Sequence, residues 1–383
     1  MPFTSMDDLV SKTAAGNFQR LDWNKLFLPT TAAVAGEWHC LARGGGSPAA
    51  DALYNTGTNL AFQPVSDTTA NAGTFQHGGD KSPSATKHII NASAFSAAAT
   101  VNPCVLMLVD LVGFYRVTSV TTITAQSLTN TLSVTNNFTA DDSTDLLTHT
   151  FYNLFPLTRV RLTTSGTLPA GLATATDYFV IKVSDTTCRL ASSYANAVAG
   201  TFIDITDAGT GTHTINTLLP RYTSGAGLRA FMWNTNATPL GAATPSLSIG
   251  YRNSTQDTGR ATPTVLPVGK TAPANGLILY SGTGSGKYGP FMPMQGADSG
   301  ISQIDTVTIS VSYVSGEFSI GLCRPLLTIP LTTLGVATER DLVNQLPSMP
   351  RIYDGANLQW LLYSGVNTPT NSALFGHVDV AWG

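Results

Sequence analysis

The residues best suited to chemistry are scattered, and each grouping lacks a partner that its chemistry requires. Residues 281–288, SGTGSGKY, follow a strand-like segment and carry Gly286 and Lys287 in the order of a phosphate loop. The first glycine position holds Ser281, the magnesium-binding Ser or Thr position holds Tyr288, and Gly289-Pro290 forbids the helix whose N-terminus would cradle phosphate. A hairpin loop is expected instead. The six histidines, His39, His77, His88, His149, His213 and His377, never stand four apart as on a metal-binding helix. His39 and Cys40, adjacent on one strand, point to opposite faces and cannot chelate together. Asp141, Asp142 and Asp145 form the densest acidic group, but without the ligand spacing and central glycine of an EF-hand they read as a solvated loop tip. No G-x-S-x-G stands at a strand-to-helix elbow, and 23 acids give no means of choosing a glycosidase pair. The expectation is a protein that is not an enzyme and has no cofactor and no metal. Cys40, Cys104, Cys188 and Cys323 lie far apart with no C-x-x-C pair, which predicts buried free thiols. Trp360, Tyr363, Phe375 and Trp382 suit core or interface packing better than a carbohydrate platform.

Composition limits the classes further. The 383 residues include 20 basic and 23 acidic side chains, 11% charged, against roughly 25% in ordinary soluble proteins. Thr, Ser, Asn and Gly must therefore cover much of the surface. Depletion of charge marks interface cores, so permanent subunit contacts would explain it. A net charge of -3 removes the counterion-release term on which nucleic-acid binders rely, and no nucleic-acid partner is expected. The apolar run 105–109 is cut by Asp110, so no membrane span is expected. Asp7 and Asp8 stand where a secretory signal would be basic and then apolar, which suggests synthesis and retention in a cytosol.

The elements that would position any site are mainly strands. Segments 105–109, 228–233, 247–251, 277–280, 304–314 and 358–363 are short, rich in β-branched or aromatic residues, and separated by Gly, Pro, Asn and Ser. Helices of βαβ length are missing, which favours an all-β fold, an antiparallel β-sandwich of jelly-roll type. Ser5 with Asp8 and Gly16 predicts a short helix near the N-terminus, over 6–15. Thr338, Glu339 and Asp341 predict another, through Leu342, Val343 and Leu346, stopped by Pro347. From 128 to 217 the texture becomes Thr- and Asp-rich without Glu, with strands expected at 178–183, 188–191, 202–205 and through His213 and Ile215. This reads as a small β domain of about 90 residues inserted into a host made of 1–127 and 218–383. No period of 20 to 50 residues signals a solenoid or a repetitive fibre.

Several segments resemble virion structural proteins of tailed bacteriophages: LDWNKL at 21–26, HGG at 77–79 with SPSATKH at 82–88, LMLVD at 106–110, RYTSGAGLRA at 221–230, YGPF at 288–291, PLLTIP at 325–330, TERDLVNQLPSMP at 338–350 and AWG at 381–383. The insert resembles a small Ig-like β module of phage structural proteins, through LPAGL at 168–172, DYFVI at 177–181, LASS at 190–193 and DAGTGTHT at 207–214. Host relatives pass from a counterpart of TAQSL at 124–128 almost directly into one of Arg221-Tyr222, which agrees with the boundaries read from composition.

The resemblance implies a head decoration or accessory capsid protein on the exterior of a phage particle, made in the bacterial host cytoplasm. Its expected partners are itself, as a homo-oligomer with a trimer foremost, and the phage major capsid protein. The alternative is a tail-associated adhesion protein that offers the insert to a host-surface glycan or protein. A main shell subunit is disfavoured, since no amphipathic stretch matches a long spine helix. The terminal segments 1–26 and 374–383 are the candidate arms toward neighbours, with Trp23, Leu26, Phe375, Val380 and Trp382 as candidate interface residues.

Overall fold

The structure is a computed structural model and describes residues 3–27, 33–70, 72–97, 101–236, 238, 240–241, 245–263, 266–267, 276, 278, 289–341 and 350–383. Its architecture is all-β and antiparallel, as composition predicts. One sheet runs in the order Thr338–Asp341, Lys87–Ser96, Ser372–Trp382, Phe18–Phe27 and Gly46–Ser47. A second runs Arg229–Asn234, Phe318–Leu331, Cys104–Val117, Leu358–Ser364 and Trp38–Cys40. A third is built on Ser246–Asn253 and Ile301–Ile309. Two cores follow from this layering. Leu21, Trp23, Ile89, Val378 and Val380 of the first sheet meet Leu106, Leu108, Trp360 and Leu362 of the second. Leu111, Phe231, Trp233 and Leu322 of the second share a core with Ile249, Tyr251, Ile304 and Val307 of the third.

Period-two alternation drives these strands. In Phe18–Phe27, Leu21, Trp23, Lys25 and Phe27 are buried while Arg20, Asp22 and Asn24 are not. Lys25 is tolerated inside because its ammonium donates to the carbonyls of Gly44 at 3.0 Å and Pro48 at 2.8 Å. Opposite Trp23 stands Gly376, where a Cβ would lie 2.8 Å from the indole. Any side chain there would displace the ring, which packs on Trp360 with centroids 5.0 Å apart.

The terminal segments do not extend as arms. Phe18–Phe27 pairs with Ser372–Trp382 along its whole length, from Phe18 opposite Ala381 to Phe27 opposite Ser372. Ser372–Trp382 also pairs with Lys87–Ser96 on its other side, so the backbone groups of this terminal strand are satisfied within one subunit. The N-terminal helix forms at Met6–Ala14, with the Ser5 hydroxyl accepting from the Asp8 amide at 3.1 Å. The second expected helix does not begin as read: Thr338–Asp341 is a strand pairing with Asn91–Ala94. A long-range ladder overrides the local capping signal there, and 342–349 lie outside the described residues. An unforeseen short helix, Tyr194–Ala199, lies in the insert, capped by Ser193 and closed by Gly200 at φ +74°. Of the strand expected at 277–280, only Ile278 is described, bridging to Trp233. Expected strand 304–314 ends at Ile309, and Val314 turns at φ +70°.

Strands from Val134–Asp141 to His213–Thr217 close into a six-stranded barrel around Leu147, Leu162, Val180, Leu190 and Ile215. Val134 opposes Thr217, so the chain enters and leaves the barrel side by side. The stretch 202–205 joins no ladder, although Ile205 is buried and its amide donates to Asp145 at 2.7 Å. Leu128 belongs to the host core rather than the barrel, and Asn130 ties it there by donating to the Ile304 carbonyl and accepting from the Tyr115 hydroxyl. The physical boundary thus falls a few residues after 128.

Candidate functional site

The five expected interface residues divide by burial. Trp23, 3% exposed, and Val380, fully buried, are core residues of the subunit itself. Leu26, Phe375 and Trp382 are half-buried. Phe375 stacks on Phe95 across the neighbouring strand, centroids 5.3 Å apart, while Leu26 stands diagonally from it, since Asn24 opposes Phe375. Trp382 lies at the far end of the strand with the Lys81 ammonium 4.3 Å from its ring centre. The outer face of this sheet therefore has three zones. Toward Trp382, Leu9 of the helix Met6–Ala14 and Phe3 just before it cover Ala381. At the centre Arg20 forms a two-pronged ion pair with Asp379 at 2.8 and 2.9 Å, and Asn91 donates to the same carboxylate. At the other end Phe95, Phe375 and Leu26 form a half-exposed apolar zone.

Buried ionic groups hold the segments that the resemblance singled out. Asp110 of LMLVD and Arg221 of RYTSGAGLRA, both essentially inaccessible, meet through Nε at 2.9 and 2.8 Å. Arg221 also donates to the carbonyls of Val65 and Leu111, and Asp110 accepts from the Asn357 amide at 2.9 Å. In a second cluster His77 Nε2 donates to the Ala356 carbonyl, which leaves Nδ1 to accept from Lys87 at 2.9 Å. Lys87 also bonds the Gly79 carbonyl and approaches Asp354 at 3.2 Å. Burial lowers the proton affinity of His77, and the Lys87 charge lowers it further. These groups bond chiefly to one another, although Arg221 and Asp354 also border a cavity of about 390 Å³. Burial pushes the Cys40, Cys104 and Cys188 thiols up to about 12, so none supplies a thiolate near neutrality. Asp141 is exposed, its carboxylate engaged by Ser143. The phosphate-loop-like 281–288 lie outside the described residues. Among the described residues, no group of three or more His, Cys, Asp or Glu is placed to hold a metal ion, and no helix is long and apolar enough to cross a membrane.

Sequence reasoning did not find the site at the seam between barrel and host. The barrel docks through the Phe155 amide, which donates to Thr223 at 2.9 Å, and through Arg159, which donates to Gln303 at 2.6 Å. Phe155 then meets Tyr222 and Tyr353 in a triangle of rings, with centroids 6.0, 5.4 and 4.8 Å apart. Beside it lies a cavity of about 380 Å³ lined by these rings and by Arg324, Leu326 and Arg351. The Arg351 guanidinium stacks 4.2 Å from the Tyr353 ring centre. Arg324 donates to the Ala226 carbonyl at 3.0 Å, and a Cβ on Gly227 would fall 1.2 Å from its guanidinium, so only glycine admits it. Tyr222 adopts φ +48°, and its hydroxyl is buried without a hydrogen-bond partner. Burial also holds this phenol protonated well above its ordinary range. Tyr222 and Ala226 of segment 221–230, Pro325 and Leu326 of 325–330, and Pro350 all line this cavity, a shared location visible only once folded. Another cavity of about 430 Å³ opens at the barrel end beside Phe138, His149 and His213, which stand in one cross-strand row.

No family model matches the chain, and no curated protein matches it. Among solved structures, the infectious bursal disease virus VP2 subviral particle aligns over 95% of this chain and 80% of that chain, at 7% identity and a TM-score of 0.15. The structure of the infectious bursal disease virus Gx strain aligns over 80% of this chain and 84% of that chain, at 10% identity and a TM-score of 0.12. Similarity this weak carries no argument about the fold or function of this chain, which rest on its own residues.

Proposed function

We propose that the protein is a structural component of a tailed-phage virion, a head-surface accessory subunit that oligomerises and braces the capsid lattice. The observation that carries the reading is the half-buried apolar zone of Phe95, Phe375 and Leu26, on a sheet whose opposite end packs against the subunit's own N-terminal segment. A subunit that binds only the assembled lattice stabilises that state by mass action, and repeated attachments act at high effective concentration. The charge-poor exterior lowers the desolvation cost of such contacts. The second reading, a tail-associated adhesion protein, is favoured by the ring-lined cavity at the base of the insert.

The test joins sedimentation of the purified chain with immunogold labelling of particles. Wild type should sediment as an oligomer at micromolar concentration and label heads. Phe375→Asp should weaken self-association by about 10- to 100-fold while leaving the thermal transition in place, because a charge then replaces half-buried apolar surface at a contact. A monomeric wild type, or labelling confined to tails, would refute the head-brace reading.

A further inference from the structure

The cavity at the seam between barrel and host is built for an occupant that the fold itself does not supply. Tyr222 is 5% exposed, yet its hydroxyl has no acceptor and its backbone occupies the left-handed region at φ +48°. Non-glycine residues held there concentrate at functional sites. Arg351 has an unpartnered Nε, and neither Arg324 nor Arg351 forms an ion pair with a described carboxylate. The nearest acids are already engaged: Asp110 by Arg221, and Asp185 by Lys182 at 2.7 Å. The cavity is therefore positive, walled by three aromatic rings, and within the size range of a small-ligand site.

We propose that this cavity binds an acidic sugar residue, with its carboxylate at the Arg324 and Arg351 guanidiniums and its apolar ring face against Phe155, Tyr222 and Tyr353. A guanidinium offers a fork of donors matched to a carboxylate. Arg324 is pre-set in place by its bond to Ala226 and by the absence of a side chain at Gly227. Aromatic faces take the C–H face of a pyranose. A bare anion would leave the aromatic wall unused, and a neutral sugar would leave both guanidiniums unused. The inference goes beyond the structural role proposed above and does not depend on whether the subunit stands on the head or the tail.

Saturation-transfer NMR on the full chain tests it with D-galacturonate, D-galactose and acetate as probes. Galacturonate should bind with a dissociation constant of about a millimolar, with galactose and acetate each weaker by about tenfold or more. Arg351→Gln should weaken galacturonate by about tenfold or more, whereas Tyr222→Phe, which keeps the ring and removes only a buried hydroxyl, should leave it unchanged. Both variants should stay folded, the first losing only the stack on Tyr353, about 1 kcal/mol at most, and the second only an unpartnered hydroxyl. Absence of galacturonate binding, or binding unchanged in Arg351→Gln, would overturn the proposal. Acetate binding as tightly as galacturonate would reduce the site to a general anion pocket, and tighter binding of the tripeptide Gly-Glu-Gly would assign it to a polypeptide carboxylate. Either result also overturns the sugar.

Discussion

Excision of the barrel measures where host and insert divide. Val134 and Thr217 are paired residues about 5 Å apart, and only three residues separate Asn130 from Val134, so a Gly-Ser joint of several residues spans the ends left by excision. Two cuts should behave differently. Removing 131–217 keeps Leu128 and Asn130; the host loses the Phe155 ring contacts and the hydrogen bonds to Thr223, Gln303 and Asp354, about 3–6 kcal/mol together. Removing 128–217 also deletes Leu128, 7% exposed in the host core, at about 2–3 kcal/mol. It further strips the Tyr115 hydroxyl of its acceptor Asn130, another 1–3 kcal/mol or so. The longer cut should thus be less stable than the shorter by about 3–6 kcal/mol, a large share of the 5–15 kcal/mol that typical domains possess. All five tryptophans, Trp23, Trp38, Trp233, Trp360 and Trp382, lie in the host, so fluorescence during guanidinium unfolding reports the host alone. Failure of the shorter cut to unfold cooperatively, or identical midpoints for the two cuts, would refute the division drawn here.

Two other perturbations address the polar interior. Arg221→Met strands the buried Asp110 carboxylate with only the Asn357 amide and should cost about 3–5 kcal/mol in the same unfolding assay; a loss under about 1 kcal/mol would show that the cluster does not hold the seam. Burial lowers His149 from 6.5 to about 4, so across that window the unfolded chain binds a proton that the folded chain refuses, and stability falls as the pH drops. His149→Asn keeps an acceptor for the Phe151 amide and should flatten that fall by about 2 kcal/mol, allowing for solvent at the barrel end; a pH profile identical to wild type between 6.5 and 4 would contradict the assignment.

Local pattern was enough to read the strands and the N-terminal helix, because alternation and capping are short-range signals. The Ser5–Asp8 cap predicted Met6–Ala14 almost to the residue. The composition shift after 128 marked the barrel, but Leu128 itself looked like part of the insert because its partners, Asp305 and the Ile304 region, are remote in sequence. The same cause explains the misplaced arms. Nothing near Trp23 announces that Gly376 will stand opposite, and a terminal strand looks like an arm until its partner is known. The Thr338 segment carried a capping signal worth about 1 kcal/mol at most, which the ladder to Asn91–Ala94 outweighs. The seam cavity draws on residues 155, 222, 324, 351 and 353, so no window of sequence contains it. Of these residues, only Tyr222 lies in a segment singled out by resemblance.

The scarcity of charge acquires a sharper meaning once its placement is known. Arg221 and Asp110, Lys87 and Asp354, Arg20 and Asp379, Arg116 and Glu317, and Arg260 and Asp298 neutralise one another within the subunit. The free charge on the exterior is therefore lower than the 11% composition alone implies. Like-charge repulsion, which keeps ordinary proteins apart, is correspondingly weak, and so is the desolvation penalty of any contact. Low charge permits association without choosing a partner. Choice must come from features with shape and direction, and the described surface offers two of opposite kind: the flat Phe95–Phe375–Leu26 zone, suited to another protein face, and the concave cavity with two guanidiniums, suited to a small acid. Because Phe375 lies on the outer sheet and Arg351 at the barrel seam, Phe375→Asp and Arg351→Gln should each abolish one behaviour and spare the other.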